Sequence, residues 1–371
     1  MLRLESVTPQ KTQRPGNSSL RRMEKGIKKD RHEPWEEDHM KRSFFSFLTF
    51  VFLTTVTWAA EVTVPKPSGN LNLQVGHPST ISLYDVPTQL THERLNKQGW
   101  NVKSVEFTRT DFNIQALAQG TVQIALSQIL DPLRVIQGGG KLTFVMENNG
   151  GEFVLIAKKE IKDCKALDGK RFAIHGDTAT TSLAAKLWLL NECKVNPNVM
   201  IVPGGENRIV ALQNNQIDGT LVQMADWLNL DAQAPGKYHI IDTGGLFNIS
   251  GMSIWANSAW LAKNEEVATA YIAESLKTFR MIHANPKIME AAVEKYVPDT
   301  PKKAIAPAIK AYLEIVRAWP ENGGDTVILE DTIKFFTDRG ELKPGIDPKQ
   351  IVNSKVLEGA LKTVGKVPGR R

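Results

Sequence analysis

The chain nearly repeats one of its own segments at a distance of 95 residues. Residues 113–128 (NIQALAQGTVQIALSQ) align with residues 208–223 (RIVALQNNQIDGTLVQ), and the same register pairs residues 108–111 with 203–206. Each copy has the pattern of a polar loop, a short helix that ends at a polar turn, and a strand, which is typical of one step in a parallel sheet. The spacing is too long for a stacked repeat. The pattern therefore predicts two similar α/β lobes whose loops face a common cleft; the alternative is a chance similarity between two helix-to-strand steps.

The overall charge is a poor guide to the partners of this protein. A net charge of +6 and a pI near 9.1 suit a nucleic-acid-binding protein. However, residues 1–60 contain 11 basic and 7 acidic side chains, whereas the rest of the chain contains 35 and 33. The body of the protein is nearly neutral and has no basic stripe with interleaved aromatic residues, so we exclude nucleic acid as a partner. A length of 371 residues allows two domains.

Residues 40–60 have the layout of a secretory signal peptide. Met40-Lys41-Arg42 is the charged start, residues 43–56 are mainly apolar, and the segment ends in Ala59-Ala60, after either of which cleavage is expected. The apolar run is shorter than the ~20 residues that span a bilayer. We expect a signal that is removed, a periplasmic mature protein and no stable membrane insertion; the alternative is a retained membrane anchor.

Two cysteines, Cys164 and Cys193, remain for the exported protein. Cys164 precedes a predicted strand, Arg171–Ile174, and Cys193 ends the helix that follows it, which brings both to the same side of the sheet. An even pair of cysteines in an exported protein favours one disulfide. Two buried free thiols are the alternative.

Predicted strands alternate with helices along most of the chain, which indicates parallel sheets and an α/β class. We place the first strand at Thr80–Leu83, ending at Tyr84-Asp85. Two further strands, Phe153–Ala157 and Ser253–Ala256, are predicted to cross between the lobes. From Glu265 onward the pattern is mainly helical, and we expect these helices to complete the first lobe and brace it.

In open parallel sheets, ligands bind beyond the carboxyl ends of the strands. The loop His175–Thr181 follows a predicted strand and opens a helix, whose free N–H groups and dipole favour an anion; alternatively, its polar residues only cap the helix. Tyr84 and Trp227 end equivalent segments, so they are candidates to sandwich a ligand or are core residues. The candidate ligand-binding residues are Tyr84, Asp85, Arg109, Asp111, Ser127, Gln128, Glu147, Asn148, His175, Thr178, Thr180, Thr181, Glu206, Asn207, Gln223, Asp226 and Trp227.

Motifs that carry catalysis or hold cofactors are absent from the sequence. It has no nucleophile elbow, no paired-histidine zinc motif, no glycine-rich phosphate loop and no dinucleotide fingerprint. We therefore predict no catalytic residue, no metal and no cofactor, and do not expect an enzyme.

Three segments resemble one family of exported proteins: Ile114–Leu126, Asp163–Thr181 and Ala211–Asp226. The chain resembles the periplasmic solute-binding proteins of ABC importers, and most of all the branch for nitrate, aliphatic sulfonates, taurine and thiamine-precursor pyrimidines. The similarity extends roughly from Gly76 to Leu342. Two departures stand out. Asn215-Gln216 occupies a place where these proteins often have glycine, and the first strand lacks their usual Gly-Tyr dipeptide.

The resemblance implies the two-lobed periplasmic-binding-protein fold (type II), in which each lobe is a mainly parallel sheet flanked by helices, with a helical C-terminal tail. It assigns residues 71–150 and 250–342 to lobe 1, 151–249 to lobe 2, and 343–371 to a C-terminal helix and tail. It also implies a protein that captures a small solute by lobe closure and delivers it to a membrane permease with its ATPase. The sequence gives no sign of oligomerisation, so we expect a monomer.

The ligand expected from this resemblance is a small nitrogen- or sulfur-containing organic solute, of the aliphatic sulfonate or taurine type. The candidate residues include hydroxyl groups, an arginine and several carboxylates, and this mixture favours a zwitterion such as an aminosulfonate. Two other functions stay open: an enzyme on the same fold, with pyrimidine-precursor or hydrolytic chemistry, and a solute sensor for a membrane receptor.

Residues 1–39 precede the signal and are polar and rich in charges of both signs. We predict that this segment is a non-native extension and that translation starts at Met40; if the segment is translated, it should be disordered. N-terminal sequencing of precursor that accumulates in a translocation-blocked cell should read Met40. A precursor that begins at Met1 or Leu2 would show that the extension is made.

Overall fold

The computed structural model describes residues 63–244, 246, 249 and 251–370. The predicted signal peptide and residues 1–39 therefore lie outside the described residues. The strands are β1 (Asn72–His77), β2 (Asn101–Glu106), β3 (Ile124–Gln128), β4 (Leu142–Glu147), β5 (Phe153–Lys158), β6 (Arg171–Ile174), β7 (Asn198–Ile201), β8 (Gly219–Gln223), β9 (Tyr238–Ile241) and β10 (Met252–Asn257).

Helices follow most of the strands and fill the last third of the chain. They are α1 (Val86–Lys97), α2 (Thr110–Gln119), α3 (Leu130–Gln137), α4 (Thr180–Asn191), α5 (Gly205–Gln213), α6 (Met224–Gln233), α7 (Ser258–Leu261), α8 (Glu265–Ala284), α9 (Lys287–Tyr296), α10 (Lys302–Ala311), α11 (Val327–Asp338), α12 (Pro348–Ile351) and α13 (Ser354–Val364). None of the helices in the described part of the chain combines the length and the apolar character that a bilayer crossing needs.

The ten strands form two sheets with the same plan. The first has the order β2-β1-β3-β10-β4 and the second has the order β7-β6-β8-β5-β9. In each sheet the first three strands pair in parallel, and the fourth, β10 or β5, runs antiparallel to both of its neighbours. Four strands of each sheet therefore share one direction, which confirms the predicted α/β class with two mainly parallel sheets.

The repeat seen in the sequence corresponds to a repeat in the structure. Strands β3 and β8 begin and end 95 residues apart, and helices α2 and α5 begin 95 residues apart. Gly120 follows α2 in the left-handed conformation (φ 77°), and Asn215 takes the same conformation (φ 57°) at the equivalent turn. Asparagine tolerates this conformation better than most non-glycine residues, so the missing glycine leaves the turn intact.

The prediction of the first strand was wrong. The strand is Asn72–His77, and the segment that was predicted as strand is instead a loop followed by a single 3₁₀ turn, Leu83–Asp85. In the true strand, the buried side chains of Leu73 and Val75 alternate with exposed ones. This strand pairs with β2 along its full length. The apolar residues at 81–84 pack into the core without extended pairing, so their composition was misleading.

Each sheet is the middle layer between helices. One face of the first sheet packs against α1, α8, α9, α10 and α13, and the other packs against α2, α3 and α11. The second sheet packs against α4 on one face and against α5 and α6 on the other. The late helices thus pack against the first sheet, as the sequence predicts.

Two helices of the second half also reach the core of the first half. Leu183 and Ala184 of α4 pack in the same cluster as α3 and α11, whereas Leu189 of the same helix packs under the second sheet. Met224 and Ala225, at the start of α6, pack against the cluster that includes α10. These shared helices tie the two sheets together on both sides of the crossing strands.

The segment that follows α10 has an unusual backbone conformation. Helix α10 continues into a π-helical turn, Tyr312–Val316, and Arg317 then reverses the chain in the left-handed conformation (φ 52°). Trp319, also left-handed (φ 55°), is fully buried. Since bulky residues rarely adopt this conformation, the surrounding packing must hold the segment in place.

Cys164 and Cys193 form a disulfide, with Cα atoms 5.9 Å apart. Cys164 begins a 3₁₀ turn that Asp163 caps by accepting hydrogen bonds from two backbone N–H groups, and Cys193 follows α4. The bridge therefore joins the entry of β6 to the end of the next helix, where the sequence places it.

We predict that the double variant Cys164→Ser/Cys193→Ser is less stable than the wild type by about 3–4 kcal/mol. The disulfide closes a loop with a sequence separation of 29, and opening it restores chain entropy to the unfolded state. Urea unfolding with and without reductant measures the difference. Reductant should destabilise only the wild type; equal stability under all conditions would contradict the prediction.

Candidate functional site

A cavity of about 390 Å³ lies between the two sheets. Its walls come from the loops after β1, β2, β3, β6, β7 and β8, which are the carboxyl ends of the parallel strands. The lining side chains are mostly polar. The residues are Pro78, Ser79, Thr80, Ser82, Tyr84, Phe107, Thr108, Thr110, Gln128, Glu152, Phe153, His175, Ala179, Thr181, Pro203, Gly204, Gly205, Glu206, Asn207, Arg208, Gln223, Asp226 and Met252.

The two crossing segments form part of the cavity wall. Glu152 and Phe153 stand at the start of β5, and Met252 is the first residue of β10. Met224 N donates to the carbonyl of Glu152, which joins the start of α6 to this segment at 2.8 Å. The cavity is therefore built where the chain passes between the sheets, and both halves contribute to it.

Four helices begin at the cavity wall. The first residues of α2 and α5, Thr110 and Gly205, line it, as do Thr181 in the first turn of α4 and Gln223, which precedes α6. Backbone N–H groups of a first turn have no partner within the helix, and the dipole gives that end a partial positive charge. Together these ends favour an anionic group in the cavity.

Arg208 is a buried cation in this wall, and the sequence repeat explains its position. Its Nε donates to the carbonyl of Leu221 at 2.9 Å. The equivalent residue of the first half, Asn113, donates from Nδ2 to the carbonyl of Leu126 at 2.8 Å. Both side chains tie a helix to the next strand, but only arginine is long enough to reach further, to the carbonyl of Val202 at 3.0 Å, and to line the cavity.

Carboxylates surround this guanidinium. Burial lowers the pKa of Arg208 to about 10, while the charges of Asp226 and Glu206 act in the opposite direction. Burial raises the pKa of Asp226 to about 6, although Arg208 opposes the shift. A Cβ atom on Gly205 would lie 2.5 Å from Asp226 Oδ2, so glycine allows this carboxylate to approach the first turn of α5.

His175 presents a hydrogen-bond donor to the cavity. Burial, assisted by the positive charge of Arg208, lowers the pKa of His175, so the ring is neutral at pH 7. Its Nδ1 accepts a hydrogen bond from Gly204 N at 3.3 Å. The ring proton therefore resides on Nε2.

Glu152 is a buried acid in the wall of the cavity. Its Oε2 accepts a hydrogen bond from Tyr312 Oη at 2.7 Å. Burial raises its pKa to about 8, in spite of the hydrogen bond from Tyr312, and the nearby Asp85 and Asp226 raise the pKa further. The carboxyl is therefore mainly protonated at pH 7 when no cation is near it.

A second cavity of about 410 Å³ adjoins the first and shares Thr108, Thr110, His175, Ala179 and Pro203 with it. The second cavity contains the buried carboxyl of Asp131, whose Oδ2 has no hydrogen-bond partner within the described residues. Burial raises the pKa of Asp131 to about 7, although Arg134 opposes the shift.

An ion pair stands at the rim of this second cavity. Arg109 donates from Nε and Nη2 to the two carboxylate oxygens of Asp111, at 2.9 and 2.7 Å. Arg109 is one of the predicted ligand-binding residues. In the structure Asp111 already satisfies its guanidinium, and Arg208 is the cation in the main cavity.

The structure brings about half of the predicted site residues to the main cavity. These are Tyr84, Gln128, His175, Thr181, Glu206, Asn207, Gln223 and Asp226. Arg109, Asp111 and Thr178 line the adjoining cavity. Asp85, Ser127, Glu147, Asn148, Thr180 and Trp227 line neither.

The residues that line neither cavity have structural contacts. Asp85 pairs with His77, at 3.1 Å between Oδ1 and Nδ1. Glu147 accepts from Asp325 N, and the carbonyl of Asn148 accepts from Trp319 N, so both face the C-terminal segment. Trp227 packs against the core of the second sheet, which excludes the predicted aromatic sandwich with Tyr84.

Several cavity residues were missed for identifiable reasons. Thr80 and Ser82 were assigned to a strand; with β1 placed at Asn72–His77 they belong to the loop beyond its carboxyl end, where ligands are expected. Glu152 precedes a crossing strand, and nothing local distinguishes it from a surface glutamate.

The described residues contain no group of three or more His, Cys, Asp or Glu side chains arranged to hold a metal ion.

Comparison with known proteins agrees with the fold. A family model described as NMT1/THI5-like matches residues 95–289. No curated protein matches the sequence. Many solved structures share the fold, and the predicted likeness to periplasmic solute-binding proteins is confirmed by them.

Three of these structures are described as binding proteins. The alkanesulfonate-binding protein SsuA from Xanthomonas axonopodis pv. citri, bound to MOPS, has a TM-score of 0.62 and 13% identity over 77% of this chain and 99% of that chain. The aliphatic sulphonate-binding SsuA from Escherichia coli has a TM-score of 0.60 and 16% identity, over 77% and 92%. The nitrate-binding NrtA from Synechocystis PCC 6803 has a TM-score of 0.63 and 12% identity, over 80% and 89%.

We predict that Asp131→Asn changes how stability depends on pH. The pKa of Asp131 is raised in the folded state, so the folded protein holds this proton more tightly than the unfolded chain does. The contribution of the protonated carboxyl to the free energy of unfolding is complete below about pH 4. This contribution is lost as the pH rises to 7, by up to about 1.4 kcal/mol per pH unit. Urea unfolding at pH 5, 6, 7 and 8 should show that the free energy of unfolding falls more steeply with pH in the wild type than in the variant. Parallel falls in the two proteins would contradict the prediction.

Proposed function

The chain belongs to the NMT1/THI5-like family, and from this premise we propose that it is the extracytoplasmic solute-binding component of an ABC importer. Its fold is that of periplasmic solute-binding proteins. In this proposal the mature protein begins after the signal peptide, acts in the periplasm as a monomer, and delivers its solute to a membrane permease with a cytoplasmic ATPase.

The observation that carries the proposal is the position of the cavity between the two sheets, where the described chain passes from one sheet to the other before β5 and again before β10. Residues of both sheets line it, so a bound solute contacts both halves of the protein and stabilises a closed arrangement. We assign residues 71–150 and 250–342 to one lobe and 151–249 to the other. The C-terminal residues 343–371 belong with the first lobe, because Val356 and Leu361 of α13 pack into its core.

The chemistry of the cavity supports a solute that carries both signs of charge. Arg208, the Nε2–H of His175 and the beginnings of α4 and α5 provide donors and positive charge for an anionic group. Glu152, Glu206 and Asp226 provide carboxyl groups for a cationic one. A small zwitterion such as an aminosulfonate fits this combination better than a bare anion.

The sulfonate- and nitrate-binding proteins that share the fold support a small anionic group as one part of the solute. At 12–16% identity they indicate the fold and do not transfer a ligand. The branch that the sequence resembles includes proteins for taurine and thiamine-precursor pyrimidines, which supports a nitrogen-containing organic solute. We therefore propose a taurine-like solute rather than nitrate.

We predict that the mature protein, from Glu61 onward, is stabilised by a small amine-bearing sulfonate. Bound ligand is first removed by partial unfolding and refolding. A thermal-shift panel then includes taurine, alkanesulfonates, nitrate, pyrimidine precursors, amino acids and polyamines. A ligand at ~100 times its dissociation constant adds ~2.7 kcal/mol of stability, which raises the melting temperature by several degrees.

The chemical state of the ligand after binding distinguishes the possible functions. A solute receptor releases its ligand unchanged on denaturation, which mass spectrometry detects. Conversion of a stabilising compound would indicate an enzyme instead. No stabilisation by any compound in the panel would contradict the proposed ligand class.

A further inference from the structure

One oxygen of the Glu152 carboxyl has no hydrogen bond, although the residue is only 1% exposed. Oε2 accepts from Tyr312 Oη, but Oε1 has no partner among the described residues. The side chain of Asn149 is close enough to favour the ionised form of this carboxyl, but its Nδ2 does not reach hydrogen-bond geometry with Oε1 or with any other of the described residues. A buried acceptor without a partner is costly, and Glu152 lines the cavity, so a donor on the solute is a natural partner for Oε1.

The carboxyl of Glu152 is held in a fixed orientation by residues far away in the sequence. Tyr312 stacks on Trp319, with ring centroids 5.4 Å apart and an angle of 27° between the planes. Trp319 is itself fixed, because its Nε1 donates to the carbonyl of Tyr84 and its backbone N donates to the carbonyl of Asn148. This rigid support gives Oε1 a defined position in the wall, which recognition of a small solute requires.

The charged neighbours of Glu152 favour a cation over a neutral donor. The titratable groups that shift the pKa of Glu152 are Tyr312, Asp85 and Asp226. The charge of Glu152 in turn raises the pKa of Tyr84. The two aspartates carry negative charge and the two tyrosines are uncharged at pH 7. Arg208 is not among the groups that shift the pKa of Glu152, although it acts on Asp226.

We propose that Glu152 is the residue that binds the ammonium group of the solute and thereby makes the protein select amine-bearing anions over the same anions without an amine. This inference rests on the proposed function and adds a named specificity residue to it. Tyr312 acts as a positioning residue, since it holds Oε2 and leaves Oε1 for the solute.

The binding of an ammonium group should release a proton from Glu152. Burial and the aspartates keep its carboxyl mainly protonated when the cavity holds no cation. The positive charge of the solute favours the ionised carboxylate, so the proton passes to the buffer as the ion pair forms. A glutamate with only a structural role would not couple proton release to solute binding.

The test is calorimetric titration of the mature protein at pH 7 with matched pairs of compounds: taurine against ethanesulfonate, and β-alanine against propanoate. The wild type should prefer the amine-bearing member of a pair by about 10- to 100-fold. Titration in two buffers of different ionisation enthalpy should show release of up to about one proton for that member only.

The variant Glu152→Gln should lose the preference and the proton release, while its affinity for the amine-free anion remains. The control is Glu160→Gln, which removes an exposed carboxyl that lines neither cavity and should retain both properties. A preference unchanged in Glu152→Gln would overturn the assignment, and so would wild-type protein that binds both members of a pair equally.

The wild-type measurements do not depend on the folding of any variant. Binding without an amine preference contradicts only the role of Glu152, whereas absence of binding by every compound of the panel contradicts the proposed function as well. The two proposals can therefore fail separately.

Discussion

Neither sheet of this protein is complete without a strand that enters from the other half. β10 lies between β3 and β4 in the first sheet, and β5 lies between β8 and β9 in the second. The outer strands β4 and β9 are each hydrogen-bonded to their sheet only through these reversed strands. Since the backbone groups of a buried strand must be paired, the two halves depend on each other, and the chain must pass between them at two adjacent places. The residues at these two passages then become part of the cavity wall.

The two halves share a plan but differ in chemistry at equivalent positions. Asn113 and Arg208 make the same bond from a helix to the next strand, yet only the arginine brings charge into the cavity. Asn113 leaves its Oδ1 buried without a partner among the described residues. The second half thus supplies the cation, Arg208, together with Asp226 and Glu206, whereas the first half supplies hydroxyl groups and Tyr84. The polarity of the site comes from this difference between two similar folds.

The C-terminal segment that contains Tyr312 and Trp319 holds two residues of the cavity wall in place. Tyr312 and Trp319 belong to a stretch with unusual backbone conformations, and they contact Glu152 and Tyr84, which precede them by 160 and 235 residues. Strained conformations persist where the surrounding packing demands them. Here the packing joins the crossing segment, the first 3₁₀ turn and the late helices around one buried carboxyl, so the orientation of Glu152 depends on the whole first half of the protein.

The sequence by itself determined the class of fold, the repeat and most of the elements, because hydrophobic periodicity and turn residues act over short distances. The strand Arg171–Ile174 was predicted with its observed bounds, and the disulfide partners were correctly paired. Local composition misled at residues 80–85, where apolar residues pack into the core as a loop and turn. The tertiary structure alone decided which polar loop residues reach the cavity. Asp85 and Trp227 turn to partners within their own half, whereas Arg208 and Glu152 reach the cavity, and Tyr312 holds Glu152 there. Such outcomes depend on contacts between residues far apart in the chain, and a buried charge takes its pKa from neighbours that no local pattern specifies.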